Sequence, residues 1–389
     1  MQEAMPLSYQ ESDSIVEGRA AAIDLPGATA RRTLHLELPF WRTLGLAAAL
    51  FGLVLALGEG LVRTKAFEAH VVADSRGGRH GQFELQLGRL ETVIARDGPI
   101  DCIFLGNSMV WHSFDPEAFA QGYRQQTGQD IRCFNFGVDG LPTVAAGSLA
   151  PILASDFRPG VLIYGTTARD YAISEESEDN TVLLEMPWLR YRLGHVSVQG
   201  WLYDHSRLSQ YWGTLGHLMR FEKRNLLLRG YYASLKDNYG FYGHEGVEAL
   251  ASVVPDPQSE DRQIRGYFEL LSDYAMLPEN LVGLKQVMAQ HGSAMQVLIV
   301  EMPVPSTYMH FFGNGQQDYQ RFIDQVERIA ESKAVPFWQT TELQLIPDDG
   351  WHDYVYPNTK GAWLFSAWLG DQLGSAVLRG DIGNPIGER

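Results

Sequence analysis

A serine becomes a nucleophile when a sharp turn exposes its hydroxyl and a neighbouring base takes its proton. The run Phe104-Leu105-Gly106-Asn107-Ser108 supplies the first condition: a short apolar strand, a glycine, and a serine just before a helix start at Asp115-Pro116. The second condition directs attention to a late histidine beside a carboxylate. Asp349 and His352 stand three apart in the loop that precedes the last helical stretch. The chain order Ser108, Asp349, His352 would let His352 act as base and Asp349 orient its imidazole. Arg169 and Asp170, at the end of a third strand, are candidates for touching an anionic substrate or for pairing with each other. His112 reads as a structural histidine. His195, His205, His217 and His244 are scattered, with no second ligand at metal spacing, so no metal is expected. No Gly-x-x-x-x-Gly-Lys phosphate loop is present, and no cofactor is expected.

These residues need a scaffold, and the apolar pattern supplies one. Short apolar runs at 101–105, 131–136, 161–164, 295–300 and 335–338 predict five strands. Helical patterns at 83–95, 143–155, 280–291, 317–333 and 359–373 alternate with them, and a further helix opens at Asp115-Pro116. Alternation of this kind predicts an α/β fold with a parallel sheet covered on both faces. Sites in such sheets form at the carboxyl ends of the strands, where Gly106, Gly137 and Gly165 lie. Residues 171–279 interrupt the rhythm with a stretch rich in Trp, Tyr, Arg and His, read as an inserted helical cap. Cys102 and Cys133, each four residues before a strand-end glycine, are expected side by side in the core, as thiols or as a disulfide.

Residues 41–63 read as one transmembrane helix, with Trp41 and Arg42 at one end and Arg63 and Lys65 at the other. Glu59 is the one charge within it, in the last turn, where it is expected to reach the interface. Residues 1–40 are expected to form a disordered cytoplasmic tail, 64–97 a stalk or first helix, 98–375 the α/β domain, and 376–389 a C-terminal tail. Arg31, Arg32 and Arg42 against Arg63 and Lys65 favour a cytoplasmic N-terminus and an extracytoplasmic (periplasmic or cell-surface) main domain. A net charge of −16 argues against nucleic acid as a partner.

The order of elements and motifs resembles the SGNH (GDSL-type) hydrolase superfamily, a flavodoxin-like three-layer fold, over residues 98 to 375 apart from the insertion. Gly106-Asn107-Ser108 with Asp115-Pro116 is similar to its nucleophile block. Asn135-Phe136-Gly137 is similar to the block that carries an oxyanion glycine, which implies that role for Gly137 beside the Ser108 amide. The block that should carry an oxyanion asparagine reads Gly165-Thr166-Thr167-Ala168-Arg169-Asp170, with Thr167 in its place. The final block, Asp-x-x-His followed by Asn-x-x-Gly, fits two registers. One keeps Asp349-x-x-His352 and adds four residues before Asn358-x-x-Gly361. The other keeps the usual spacing and places Asp353 at the aspartate and Tyr356 at the histidine.

With its anchor, the chain resembles envelope proteins that work beside membrane-bound O-acyltransferases, such as the D-alanyl-lipoteichoic-acid biosynthesis and alginate O-acetylation proteins. The resemblance implies an esterase or O-acyltransferase acting on envelope polysaccharide or glycolipid. Its alternative is a catalytically degenerate scaffold or binding protein that partners such a transferase.

Overall fold

The computed structural model describes residues 39–174, 178–212, 238–248, 252–292 and 295–386. The expected tail up to residue 38, His217 and part of the expected cap lie outside these residues. Contacts divide the chain into two units, residues 1–53 and 54–389. The apolar run forms one helix, α1 (Phe40–Val62), of 23 residues. At 1.5 Å per residue this is roughly 34 Å, long enough to cross a hydrocarbon core. Glu59 has a specific role in its last turn. Its carboxylate accepts from the N–H groups of Arg207 (2.8 Å) and Leu208 (2.9 Å) and from Ser206 Oγ (2.9 Å). The charge thus caps a short helix elsewhere in the chain, where unpaired amide donors favour an anion.

Residues 64–97 pack into the domain. Helix α2 (Gly81–Asp97) buries Phe83, Leu87, Leu90 and Val93. Glu84 accepts from the backbone of Arg76 and Gly78, and the fully buried Arg76 pairs with Glu91 at 2.9 Å.

Next come β1 (Cys102–Gly106), α3 (Ser108–Ser113), α4 (Pro116–Thr127), β2 (Cys133–Gly137), α5 (Thr143–Phe157) and β3 (Val161–Thr166). The inserted region holds α6 (Pro187–Arg192), α7 (Val198–His205), α8 (Arg207–Gln210) and α9 (Arg262–Leu271). The chain returns through α10 (Pro278–Met288), β4 (Gln296–Glu301), α11 (Gln316–Ser332), β5 (Phe337–Trp338) and α12 (Thr359–Arg379). All strand pairs are parallel, in the order β2-β1-β3-β4-β5. This is the expected α/β, flavodoxin-like arrangement. Right-handed crossovers put the β1-to-β2 helix on one face and the β2-to-β3 helix on the other. Accordingly α4 packs with α12, and α5 with α10. The α4–α12 crossing is close because a Cβ on Gly122 or Gly370 would run into the backbone of the facing helix. Cys102 and Cys133 face each other in register as buried free thiols.

The strand order reverses between β1 and β3, so a crevice opens at their carboxyl ends. Ser108 and Thr167 lie there. Two parts of the insertion reach this crevice. Helix α9 lines it, and residues 238–248 form a strap that brings the His244 ring to 5.4 Å from the Tyr356 ring. That strap is held by Asn135 N–H to Tyr239 O, Tyr242 N–H to Trp111 O, Thr359 N–H to His244 O and Glu248 N–H to His352 O.

Candidate active site

The turn after β1 is built around Asn107. Its Oδ1 accepts from Met109 N–H (2.7 Å) and starts α3. Its Nδ2 donates to Thr167 Oγ1 (3.1 Å) and Asp170 Oδ1 (2.7 Å), tying the end of β1 to the end of β3. Ser108 is therefore the first residue of a helix, and its N–H has no acceptor within that helix. Its Oγ lies 2.8 Å from Tyr356 Oη. Burial pushes the Tyr356 phenol up to about 12, against the opposing effect of its bond to Ser108. At neutral pH Tyr356 is a neutral phenol, able to donate to Ser108 but not to take its proton.

Local bonds fix Tyr356 in this position. Asp353 Oδ1 accepts from the N–H groups of Val355 and Tyr356, both at 2.7 Å. Burial raises the Asp353 carboxyl above its ordinary range, and those two amides partly offset the rise. Asn358 caps α12 through Lys360 N–H and Gly361 N–H, and its Nδ2 donates to Asp349 O (2.8 Å) and Trp351 O (3.3 Å). The loop is closed on itself, with Asp353 and Tyr356 in the positions of the second register.

The other expected site residues are engaged elsewhere. The Asp349 carboxylate is exposed and pairs with Lys360 Nζ at 2.6 Å, not with His352. His352 Nδ1 lies 3.3 Å from Gly246 O, and its Nε2 lies 3.5 Å from Glu248. The partner of Ser108 is thus Tyr356 rather than His352. The Gly137 N–H, an expected oxyanion donor, donates to Asn135 Oδ1 at 2.8 Å. Glycine is required there for a packing reason, since a Cβ would run into the backbone of Trp111. Thr167 Oγ1 is the acceptor for Asn107. Arg169 does reach the crevice, 3.8 Å from Asp170 Oδ1.

The crevice is a cavity of about 430 Å³ whose lining includes Ser108, Tyr356, Arg169, Arg262, Gln263 and Tyr267. The last three belong to α9. The Asp261 N-cap and apolar spacing of that helix are visible in the sequence, but not what it faces.

A second group at the site has no sequence signature. His112, His244 and His352 stack as a column, with ring centroids 4.0 Å and 4.2 Å apart. His112 and His244 also touch the Tyr356 ring, at 4.9 Å and 5.4 Å between centroids. Burial, then the neighbouring imidazoles, lowers His112 to about 3 and His244 to about 4. Asp170 moves oppositely, raised to about 6 by burial against the pull of Arg169 and its hydrogen bonds.

These shifts set a pH dependence. The lowered histidines give stability that is complete above pH ~6.5 and is lost as pH falls through about 4 and then about 3. The raised Asp170 gives stability that is present below pH ~4 and lost as pH rises through about 6. Two histidines shifted further outweigh one carboxyl. Among these three groups the difference from pH 7 to 4 is a loss on the order of 3 kcal/mol, taking about 1.4 kcal/mol for each tenfold change in a group's proton affinity and less for the partly exposed His244. Thermal unfolding followed from pH 7 to 4 should show a falling midpoint. The fall should be shallower in His244→Phe and steeper in Asp170→Asn.

No family model matches this chain, and no curated protein matches it. Among solved structures it is similar to the inhibitor-bound M. smegmatis aryl esterase, at TM-score 0.33 and 13% identity, covering 72% of this chain and 98% of that one. It is also similar to BT4096, a gut microbial diltiazem-metabolizing enzyme, at 0.33 and 14%, covering 70% of this chain and 46% of that one. A third similarity is to Est24, a carbohydrate acetylesterase from Sinorhizobium meliloti, at 0.33 and 11%, covering 70% and 98%. Alignments at this level carry no argument about activity.

Proposed function

We propose that this chain is a membrane-anchored, extracytoplasmic α/β protein of the SGNH type that keeps the cleft of an esterase without its base. In this reading it binds its ligand and does not hydrolyse it. The observation that carries the reading is the 2.8 Å contact between Ser108 Oγ and the neutral Tyr356 phenol, at the point where the fold would need an imidazole. The engagement of Gly137 with Asn135, and of Thr167 with Asn107, supports it, because two of the three expected oxyanion groups are used internally and only the Ser108 amide is left. Two guanidinium groups, Arg169 and Arg262, beside Ser108 favour a ligand with anionic groups. The proposed ligand is an envelope polysaccharide or glycolipid, and the proposed partner a membrane-bound O-acyltransferase.

A second reading keeps the chemistry: an esterase or O-acyltransferase in which Ser108 attacks an acyl carbonyl and His352 takes the proton. The histidine column beside Tyr356 favours it. It requires the loop at 349–358 to turn so that His352 replaces Tyr356. A fluorophosphonate probe separates the two readings. The full chain is expected to stay unlabelled, as is Ser108→Ala. Labelling of the wild type that disappears in Ser108→Ala would establish the second reading instead.

A further inference from the structure

Outside α1, thirteen large hydrophobic side chains are exposed among the described residues, and six of them fall between residues 193 and 212. They are Leu193, Val196, Val198, Trp201, Leu202 and Trp212. Val198, Trp201 and Leu202 stand at i, i+3 and i+4 of α7, so they share one face. The fold uses the other side of the helix. Gly200 is buried against Pro187 and Tyr191, the Tyr203 ring covers Gly77, and Asp204 accepts from Trp188 Nε1 at 3.0 Å. The exposed face is therefore surplus to the core.

The C-terminal end of this helix is fastened to the last turn of α1. Arg63 donates to His205 O at 2.6 Å, Glu59 holds Ser206, Arg207 and Leu208, and Gly58 lies against the Leu208 side chain. A helix that spans a bilayer leaves the hydrocarbon in just such a last turn, here followed by the exposed Arg63 and Lys65. A helix with an exposed apolar face that carries Trp201 thus ends its last turn at the point of exit.

We infer that the α6–α8 segment seats on the same bilayer surface, with Val196, Val198, Trp201 and Leu202 at the boundary between headgroups and acyl chains. Tryptophan and aliphatic residues on one face of a helix are the composition that lies in this layer. Eight residues of helix would bind a membrane poorly alone. The span removes that difficulty, because it makes the second contact intramolecular at high effective concentration. Arg63 and Lys65 are exposed just after the span, and Arg190 is exposed on α6; all three suit phosphate headgroups.

The inference rests on the reading of α1 as a span, and the test keeps the two apart. The full chain is placed in phosphatidylcholine–phosphatidylglycerol nanodiscs, with a polarity-sensitive fluorophore on Val198→Cys, on Leu50→Cys in α1, or on Val282→Cys, exposed on α10. The buried Cys102 and Cys133 serve as the unlabelled blank. Labels at Leu50 and Val198 should emit at shorter wavelength and be quenched by doxyl lipid, and the label at Val282 should do neither. If Leu50 reads lipid and Val198 matches Val282 in water, the inference falls and the span stands. If Leu50 reads water, both fall. If Val282 also reads lipid, the contact is not that of α7 and the inference falls.

Discussion

Tyr356→His is expected to raise esterase activity well above that of the wild type. The substitution puts an imidazole into a turn whose other parts are in place: Asp353 three residues before, and Asn358 capping α12 after. One Asp353 oxygen holds the turn, and the other lies 3.5 Å from Gln263 Nε2, so it can accept the Nδ1 proton of the new histidine. An imidazole is shorter than a phenol, so Ser108 must follow by a rotamer change or act through a bridging water. A well-placed general base contributes about 10²–10⁴-fold. The oxyanion side is weak, because the Gly137 amide is held by Asn135. One missing donor costs on the order of 10²–10³-fold, which places the outcome at the lower end of the gain. Hydrolysis of p-nitrophenyl acetate should rise about 100-fold over wild type in Tyr356→His and return to the wild-type level in Tyr356→His/Ser108→Ala. A wild type that already hydrolyses the ester, and loses this in Ser108→Ala, would contradict the proposed function.

The sheet was legible because a strand buried on both faces reads as an unbroken apolar run. The runs at 101–105 and 161–164 became Cys102–Gly106 and Val161–Thr166 within two residues. The last helix was harder. Its expected end at 373 fell among Gly370 and Gly374, which local propensity treats as breakers, yet α12 continues to Arg379. Those glycines allow the close crossing with α4, so packing overrides propensity. The turn at Ser108 was visible as strand, glycine and helix start. The choice between Tyr356 and His352 was not, since a loop absorbs four residues at little cost. It is decided by side-chain bonds to backbone, those of Asp353 and Asn358, which spacing does not reveal. The histidine column had no local signal either, because its three members come from α3, the strap and the last loop.

Asn135→Ala is expected to lower the unfolding midpoint by on the order of 10 °C, the largest loss of any single polar substitution at the site. Asn135 is fully buried in β2, beside the strand that leads to Ser108. Its Nδ2 donates to Val110 O (2.8 Å) and Phe114 O (2.7 Å), with Trp111 O at 3.3 Å, and its Oδ1 accepts from Gly137 N–H (2.8 Å). These bonds fasten the carbonyl end of α3 to β2. Alanine strands the Gly137 amide and the α3 carbonyls where water does not reach. Each stranded group costs about 1–3 kcal/mol, less where a carbonyl keeps a helical donor, as Val110 O does from Phe114 N–H. The sum is about 3–5 kcal/mol, and a domain of this size loses about 2–4 °C per kcal/mol. Asn135→Asp should be worse than Ala. It keeps the acceptor for Gly137 but turns carboxylate oxygens toward three carbonyls in a buried place. Circular dichroism melts of the full chain in detergent give the order wild type, Ala, Asp. The same clamp sets where α3 presents Ser108. In the Tyr356→His background, Asn135→Ala should therefore remove most of the gained hydrolysis at temperatures well below its own unfolding. A variant that melts early yet keeps the full gain would mean that the Asn135 clamp stabilises the fold without aiming the serine.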